Sequence, residues 1–158
     1  MAGKAKPVPD GYHSVTPYIT VIGAAEAIEF YKKAFGAVEF FRMPMPDGKV
    51  GHAEIQIGDS RIMLSDEFPE MSDAVAKSPK TLGGTSFGLN VFLPDVDAQF
   101  KIAIEAGGKE RRPVETQFYG DRSGTLEDPF GHIWILSTHV EDISPEEMAK
   151  RMESMPQN

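Results

Sequence analysis

The chain has 158 residues, the usual length of one compact domain, and such a chain buries roughly two-thirds of its unfolded surface without needing disulfides. It contains no cysteine, which excludes disulfides, thiolate metal sites and a cysteine nucleophile. The formal net charge is −8, from 24 acidic and 16 basic residues, and it disfavours a nucleic-acid partner because phosphate contacts need Lys and Arg.

The hydropathy of the chain predicts no membrane segment. No apolar run approaches the roughly 20 residues of a spanning helix, and the N-terminal residues lack the apolar core of a signal peptide. We therefore expect a cytoplasmic protein with no membrane partner. Residues 1–13 are rich in Lys, Pro and Gly and predict a flexible N-terminal arm.

Residues 14–65 predict a first module with the order βαβββ. A strand precedes an amphipathic helix that ends at Gly36, and its apolar residues recur at helical spacing: Ala24, Ile28, Tyr31 and Phe35. Three more strand segments follow, separated by turns at Pro46-Asp-Gly and Gly58-Asp-Ser.

The same order of elements returns after a polar connection, 66–85, which has the length of a lid or linker. Residues 86–139 predict the second βαβββ module, with a hairpin turn at Gly120 and a last strand from Gly131. The two helices superpose at an offset of 72 residues, with Ala24 on Val96. An internal repeat of this kind predicts two equivalent half-sheets.

The C-terminal tail, 140–158, is acidic and contains a short predicted helix, because Ser144 and Pro145 suit the N-cap and the first helical position. The fold class predicted from the whole chain is α+β. It consists of two tandem βαβββ modules that form a curled mixed sheet with helices on the outer face.

Alternation along two strands assigns their faces. Every second residue of segments 50–57 and 86–93 is apolar, and these residues are expected to pack under the helices. The intervening residues are predicted to line the open face: His52, Glu54, Gln56, Asn90 and Phe92. The last strand has two interpretations, with either His132 and Trp134 or Ile133, Ile135 and Ser137 on the open face.

Three stretches carry a resemblance to a known family: residues 21–36, Leu93-Pro-Asp-Val-Asp with Ala106-Gly-Gly, and Gly120-Asp-Arg-Ser-Gly with Asp128-Pro-Phe-Gly-His. They resemble the vicinal oxygen chelate superfamily of glyoxalase I, bleomycin- and fosfomycin-resistance proteins and extradiol dioxygenases. The motif at Asp128 and the Ser144-Pro-Glu-Glu tail are similar to its PhnB-like branch. The resemblance implies a ligand cavity on the open face and a homodimer.

The metalloenzymes of that family hold a divalent ion with His and Glu side chains from the first and last strands of each module. The resemblance places these positions near four residues of this chain: Pro17, Glu54, Gly88 and Ile135. Of these four residues only Glu54 has a side chain that can donate to a metal, and with His52 it would make two ligands where such ions need three or four. We therefore expect no metal or other cofactor, unless a shifted alignment brings in His132 or His139.

Further ligand-binding candidates lie in the second module. Phe118 and Tyr119 precede the Gly120 turn and are predicted either to close over a planar ligand or to pack at a rim. Arg122 is either an anion clamp or a structural partner of a neighbouring acid, and Trp134, the sole tryptophan, lines the cavity or packs in the core.

The leading hypothesis is a homodimeric, metal-independent protein that binds a small, partly aromatic or cationic molecule, with Glu54 selecting a cationic or hydrogen-bond-donating group. The alternative is a lyase, isomerase or dioxygenase that uses Glu54 as a general base beside His52, or as a metal ligand. A third hypothesis is a subunit that has lost its pocket and serves assembly. Phosphate loops, nucleophile elbows and HExxH motifs are absent from the sequence.

Overall fold

The computed structural model describes residues 5–71 and 76–154, and within them the elements follow the order of two βαβββ modules. The first module contains β1 (Tyr18–Val21), α1 (Ala24–Phe35), β2 (Val38–Pro44), β3 (Val50–Ile57) and β4 (Ser60–Asp66). The connection contains α2 (Pro79–Leu82). The rest of the chain contains β5 (Gly88–Phe92), α3 (Val96–Glu105), β6 (Lys109–Thr116), β7 (Asp121–Glu127), β8 (Ile133–His139) and α4 (Pro145–Glu153).

Each module forms its own four-stranded mixed sheet. The first sheet has the order β1-β4-β3-β2 and the second has the equivalent order β5-β8-β7-β6, with the β1–β4 and β5–β8 pairs parallel. This confirms the predicted α+β class and tandem modules. The two half-sheets predicted from the internal repeat are these two sheets, and no strand of one pairs with a strand of the other in the described ranges.

A buried aspartate at the end of β4 organises the start of the first module. The Asp66 Oδ1 atom accepts hydrogen bonds from the backbone N–H groups of Gly23 at 2.8 Å and Ala24 at 3.0 Å, which begin α1. Its Oδ2 accepts from the N–H of Val50 at 2.8 Å, where β3 begins. Because the N-cap residue Gly23 has no side chain, Asp66 supplies the acceptor that a helix N-terminus needs.

The core joins the two modules through the aromatic face of α1. Tyr31 and Phe35 pack on Trp134 of β8, with ring centroids 5.2 and 4.5 Å apart. The Tyr31 hydroxyl and the Trp134 indole N–H both donate to Oδ2 of buried Asp128 at 2.8 Å. The Oδ1 atom of Asp128 accepts from two backbone N–H groups, those of Phe130 and His132. One buried carboxylate therefore fixes α1 to the second sheet.

Two elements differ from the sequence-based prediction. The strand β7 begins at Asp121, directly after Gly120, where only a hairpin turn was predicted. The short helix α2 interrupts the connection because Ser78 caps it by accepting a hydrogen bond from the N–H of Thr81, and Pro79 occupies its first turn. No helix in the described parts of the chain is long and apolar enough to cross a membrane.

Candidate ligand-binding site

The open face of the first sheet, which lies opposite α1, carries the two residues that the sequence singled out most strongly. On β3 the side chains of Ala53 and Ile55 are fully buried under α1, whereas His52 and Glu54 are partly exposed on the other side. The predicted alternation of this strand is therefore what the structure shows, because a strand packed on one face only directs successive residues to opposite sides.

Four side chains on this face form a continuous chain of hydrogen bonds. The Tyr12 hydroxyl donates to Oε2 of Glu54, and Glu54 Oε1 lies 3.3 Å from Nε2 of His52. The other ring nitrogen of His52, Nδ1, lies 3.2 Å from the hydroxyl of Tyr18 on β1. Tyr12 belongs to the segment before the first sheet, and Tyr18 belongs to its edge strand, β1. The series of hydrogen bonds therefore runs across the open face.

The electrostatics of Glu54 favour its charged form. The hydrogen bond from Tyr12, and next that from His52, lower the pKa of Glu54 below its ordinary value, although partial burial opposes them. The same contact raises the pKa of Tyr12. Glu54 is therefore a carboxylate at neutral pH. A general base of the kind that the enzyme hypothesis requires would need a raised pKa, the opposite direction.

An arginine on β4 adds a cation and an aromatic surface beside Glu54. The guanidinium carbon of Arg61 lies 3.3 Å from the ring centroid of Phe40 and 5.4 Å from that of Tyr12, which is cation–π geometry. The Nε atom of Arg61 is buried and has no hydrogen-bond partner among the described residues. Arg61 thus lies between two rings near the Glu54 carboxylate.

A cavity of about 660 Å³ opens on the same face, at the Tyr18 end of this series of hydrogen bonds. Tyr18 belongs to both. The cavity walls are mainly apolar, with four large side chains, Met43, Met45, Phe68 and Met71, and the other polar residues are Thr20, Ser65 and Asp66. We call it the methionine cavity. Its volume lies within the range of about 300–1,000 Å³ that holds small organic ligands, and thioether side chains adapt to irregular shapes.

Asn90 and Phe92 line a different cavity. It has a volume of about 620 Å³ and lies between β5, the turn before β4 and the segment that leads into β1. The Asn90 side-chain oxygen accepts a hydrogen bond from the hydroxyl of Ser137 at 3.0 Å. Gln56 donates to the backbone oxygen of Gly58 at 2.9 Å, at the end of β3. These three predicted residues are therefore not brought together with the methionine cavity.

The structure places the second-module candidates away from this site. Trp134 is fully buried in the core, where its indole N–H donates to Asp128, so the first interpretation of the last strand is corrected. Ile133 and Ile135 lie half-buried on the open face of the second sheet. Arg122 forms a two-point ion pair with Asp97, both distances being 2.6 Å, and is structural.

Phe118 and Tyr119 form an edge-to-face pair with ring centroids 5.2 Å apart, next to the Gly120 turn. The backbone oxygen of Phe118 accepts a hydrogen bond from Arg151 of α4. Neither ring lines the methionine cavity. The two aromatic residues therefore pack where the C-terminal tail returns to the second module.

The described residues do not fit the divalent ion that the resemblance implies. Glu54 lies on β3, the third strand of its module, and the fourth strand carries Met63 directly opposite it, so the carried-over ligand position is corrected. The segment that carries Glu54 is the third strand because a separate strand, β4, follows it at Ser60–Asp66. The described parts of the chain contain no group of three or more His, Cys, Asp or Glu side chains placed to hold a metal.

Several residues of the site were not predicted from the sequence. Tyr18 could have been found, since it alternates with buried Ile19 and Val21 on β1. Met43 lies on β2, a strand with register shifts where alternation fails, and Met45 follows the end of that strand. Tyr12 lies outside any strand or helix, and no local pattern marks it as a partner of Glu54.

Residues 12–136 match the sequence model of the Glyoxalase/Bleomycin resistance protein/Dioxygenase superfamily. The chain belongs to this superfamily. An uncharacterised protein of Mycobacterium tuberculosis (strain H37Rv) is 41% identical over 141 residues, which cover 89% of this chain and 83% of that protein.

Solved structures of the superfamily fold resemble this chain along most of its length. TioX from Micromonospora sp. ML1 aligns with a TM-score of 0.63 and 20% identity, covering 84% of this chain and 100% of TioX. A PhnB protein from Bacillus cereus, described as a putative 3-demethylubiquinone-9 3-methyltransferase, aligns with a TM-score of 0.61 and 19% identity, covering 80% and 99%. These likenesses show the shared glyoxalase fold.

Proposed function

We propose that this protein binds a small, largely apolar organic molecule in the methionine cavity, without a metal ion. The observation that carries the proposal is the cavity of about 660 Å³, which has apolar walls and a polar border at Tyr18. Burying apolar ligand surface against such walls provides the affinity, and a few polar groups orient the ligand. This is binding of the bleomycin-resistance type within the superfamily.

Binding accounts for the polar chain better than catalysis does. Glu54 and His52 are each bonded to a tyrosine as well as to one another, so both are satisfied and held in place. The lowered pKa of Glu54 makes it a weak base and a good permanent acceptor. The lyase, isomerase and dioxygenase alternatives lack a supporting observation of this kind.

Three finer expectations belong to the same proposal: the PhnB-like branch, a homodimer and a cytoplasmic location. The motif from Asp128 to Trp134 supports the branch. A row of exposed apolar side chains along β2 supports a dimer: Val38, Phe40, Phe41 and Met43. Sedimentation equilibrium of the purified protein tests the dimer, and a monomer mass at micromolar concentration would contradict it.

Two glycine variants test the binding site with one uncharged probe, 2-methoxynaphthalene, in calorimetric titrations. A Cβ atom at Gly51 would lie 2.8 Å from Cε of Met43 and 2.9 Å from Sδ of Met45, so Gly51→Val fills the methionine cavity. Gly88 is the control: it lies on a β-strand of the second sheet, and a Cβ there meets Ile135 at an ordinary 3.5 Å.

We expect saturable binding of the probe to the wild-type protein and to Gly88→Val, and a loss of at least about tenfold in affinity for Gly51→Val, since a valine removes part of the apolar contact. Thermal unfolding shows that both variants are folded. Equal affinity of Gly51→Val and the wild type would refute the site, and no saturable binding to the wild type would refute the function.

A further inference from the structure

The described part of the N-terminal arm reaches the open face through the side chain of Tyr12. Of its described residues, 5–13, only Tyr12 is partly buried, and the others are exposed. A turn closed by the hydrogen bond from Tyr12 N–H to the oxygen of Pro9, at 3.1 Å, directs Tyr12 at the sheet. Gly11 supplies the positive φ of 83° that this turn requires. The arm is therefore attached to the site by Tyr12.

The contacts that the Tyr12 side chain makes are ones that a free phenol can also make. Its hydroxyl donates to Glu54, and its ring lies 5.4 Å from the guanidinium of Arg61. Arg61 in turn lies on the Phe40 ring. The subsite thus consists of a carboxylate acceptor beside a flat cationic surface, and a phenol satisfies both.

The other described residues of the arm, within 5–13, add little to hold Tyr12 in place. None of them contributes a side chain to the buried core, and the ion pair that they form, Lys6 with Asp10, is exposed. Exposed pairs of this kind contribute little to stability, and segments with few buried contacts open readily. A ligand that makes the same contacts can therefore displace Tyr12.

We propose that Tyr12 is a built-in occupant of the Glu54 subsite, and that the ligand carries an aromatic hydroxyl group which replaces the Tyr12 phenol on Glu54. This inference rests on the proposed function and names its ligand class. The positive charge of Arg61 beside Glu54 repels a second cation, which favours a neutral hydroxyl donor over an ammonium group. The remainder of the ligand extends along the open face past His52 towards the methionine cavity.

Competition with the arm has a measurable consequence. While Tyr12 occupies Glu54, only the fraction of molecules with a displaced arm binds such a ligand, so the apparent affinity falls by that fraction. A charge-assisted hydrogen bond is worth enough to make the displaced fraction about one tenth or less. Removing Tyr12 should tighten the binding of an aromatic hydroxyl compound by about tenfold.

The experiment compares 2-naphthol with 2-methoxynaphthalene, which differ in the hydroxyl donor, by calorimetric titration. We expect Tyr12→Ala to bind 2-naphthol about tenfold more tightly than the wild type, and Tyr12→Phe to show a smaller gain because its ring remains. Lys6→Ala, a variant elsewhere in the arm, should leave the affinity unchanged. Glu54→Leu, which removes both acceptor oxygens at similar size, should abolish the preference for 2-naphthol, with thermal unfolding as the check that it folds.

The outcomes separate this inference from the proposed function. If 2-methoxynaphthalene binds and Gly51→Val weakens it, but both Tyr12 variants bind 2-naphthol like Lys6→Ala, the arm is not a competitor and this inference alone is wrong. If Glu54→Leu retains the preference for 2-naphthol, the hydroxyl does not bind at Glu54 and the inference is again wrong. If neither compound binds any variant, both proposals are wrong.

Discussion

The buried carboxylate of Asp128 provides the sharpest test of how the two modules are held together. In Asp128→Asn the retained oxygen still accepts from the backbone, but an amide N–H₂ replaces Oδ2, to which Tyr31 and Trp134 donate. The Tyr31 hydroxyl can turn and accept, whereas the indole N–H of Trp134 loses its acceptor. An unpaired buried donor costs about 1–3 kcal/mol, and the loss of a hydrogen bond to a charged carboxylate adds to this cost.

We therefore expect Asp128→Asn to lower the free energy of unfolding by about 2–4 kcal/mol, out of the roughly 5–15 kcal/mol typical of a domain. Urea unfolding measures this free energy. The transition is monitored by circular dichroism and by the fluorescence of Trp134, which reports on the contact itself. Tyr31→Phe removes one donor and should cost about 1 kcal/mol. In the double variant the two costs should be less than additive, because both act on one contact.

A matched control comes from the surface of the second module. Asp97→Asn changes an exposed carboxylate that pairs with Arg122, and its unfolding midpoint should stay close to that of the wild type. A loss of less than about 0.5 kcal/mol for Asp128→Asn, the usual effect of a surface substitution, would refute the role assigned to this carboxylate.

Two further predictions concern the second module. The carboxylates of Asp121 and Asp142 raise the pKa of His139, so the stability from this contact is complete at low pH and is lost as the pH rises through the folded-state pKa. NMR titration should show that Asp121→Asn lowers the pKa of His139, and an unchanged pKa would contradict the contact. Gly120→Ala should destabilise the protein by more than about 1 kcal/mol, because its Cβ would collide with the backbone oxygen of Glu141 at a φ of 97°. Urea unfolding measures this loss, and a value within about 0.5 kcal/mol of the wild type would be the contrary result.

The features of the fold that depend on local periodicity could be predicted from the sequence. The helix that begins at Val96 repeats the one at Ala24, because each buries one face against its own sheet and this imposes the helical spacing of apolar residues. The exposure of His52 and Glu54 followed from the two-residue period of a strand packed on one side.

The features that depend on distant contacts could not be predicted. Equating the two Gly-His pairs placed Trp134 on the open face, but His52 lies on the third strand of its module and His132 precedes the fourth strand of the other. The direction of Trp134 is set by Asp128 and by α1, whose Tyr31 also donates to Asp128. Tyr31 lies 97 residues before Asp128 in the sequence. The Tyr12 contact spans 42 residues and begins in a segment whose composition predicted only an arm.

The methionine cavity is lined both by a side chain that is held in place and by side chains that change conformation readily. Asp66 lines it with a carboxylate that is fixed by three backbone N–H groups, whereas Met43, Met45 and Met71 line it with unbranched thioether chains that have several accessible rotamers. Such walls reshape around molecules of different outline at small cost, so they discriminate poorly by shape. Selectivity then depends on where a molecule carries its polar groups, and compounds of unlike skeleton with a matching pattern of donors should share this pocket.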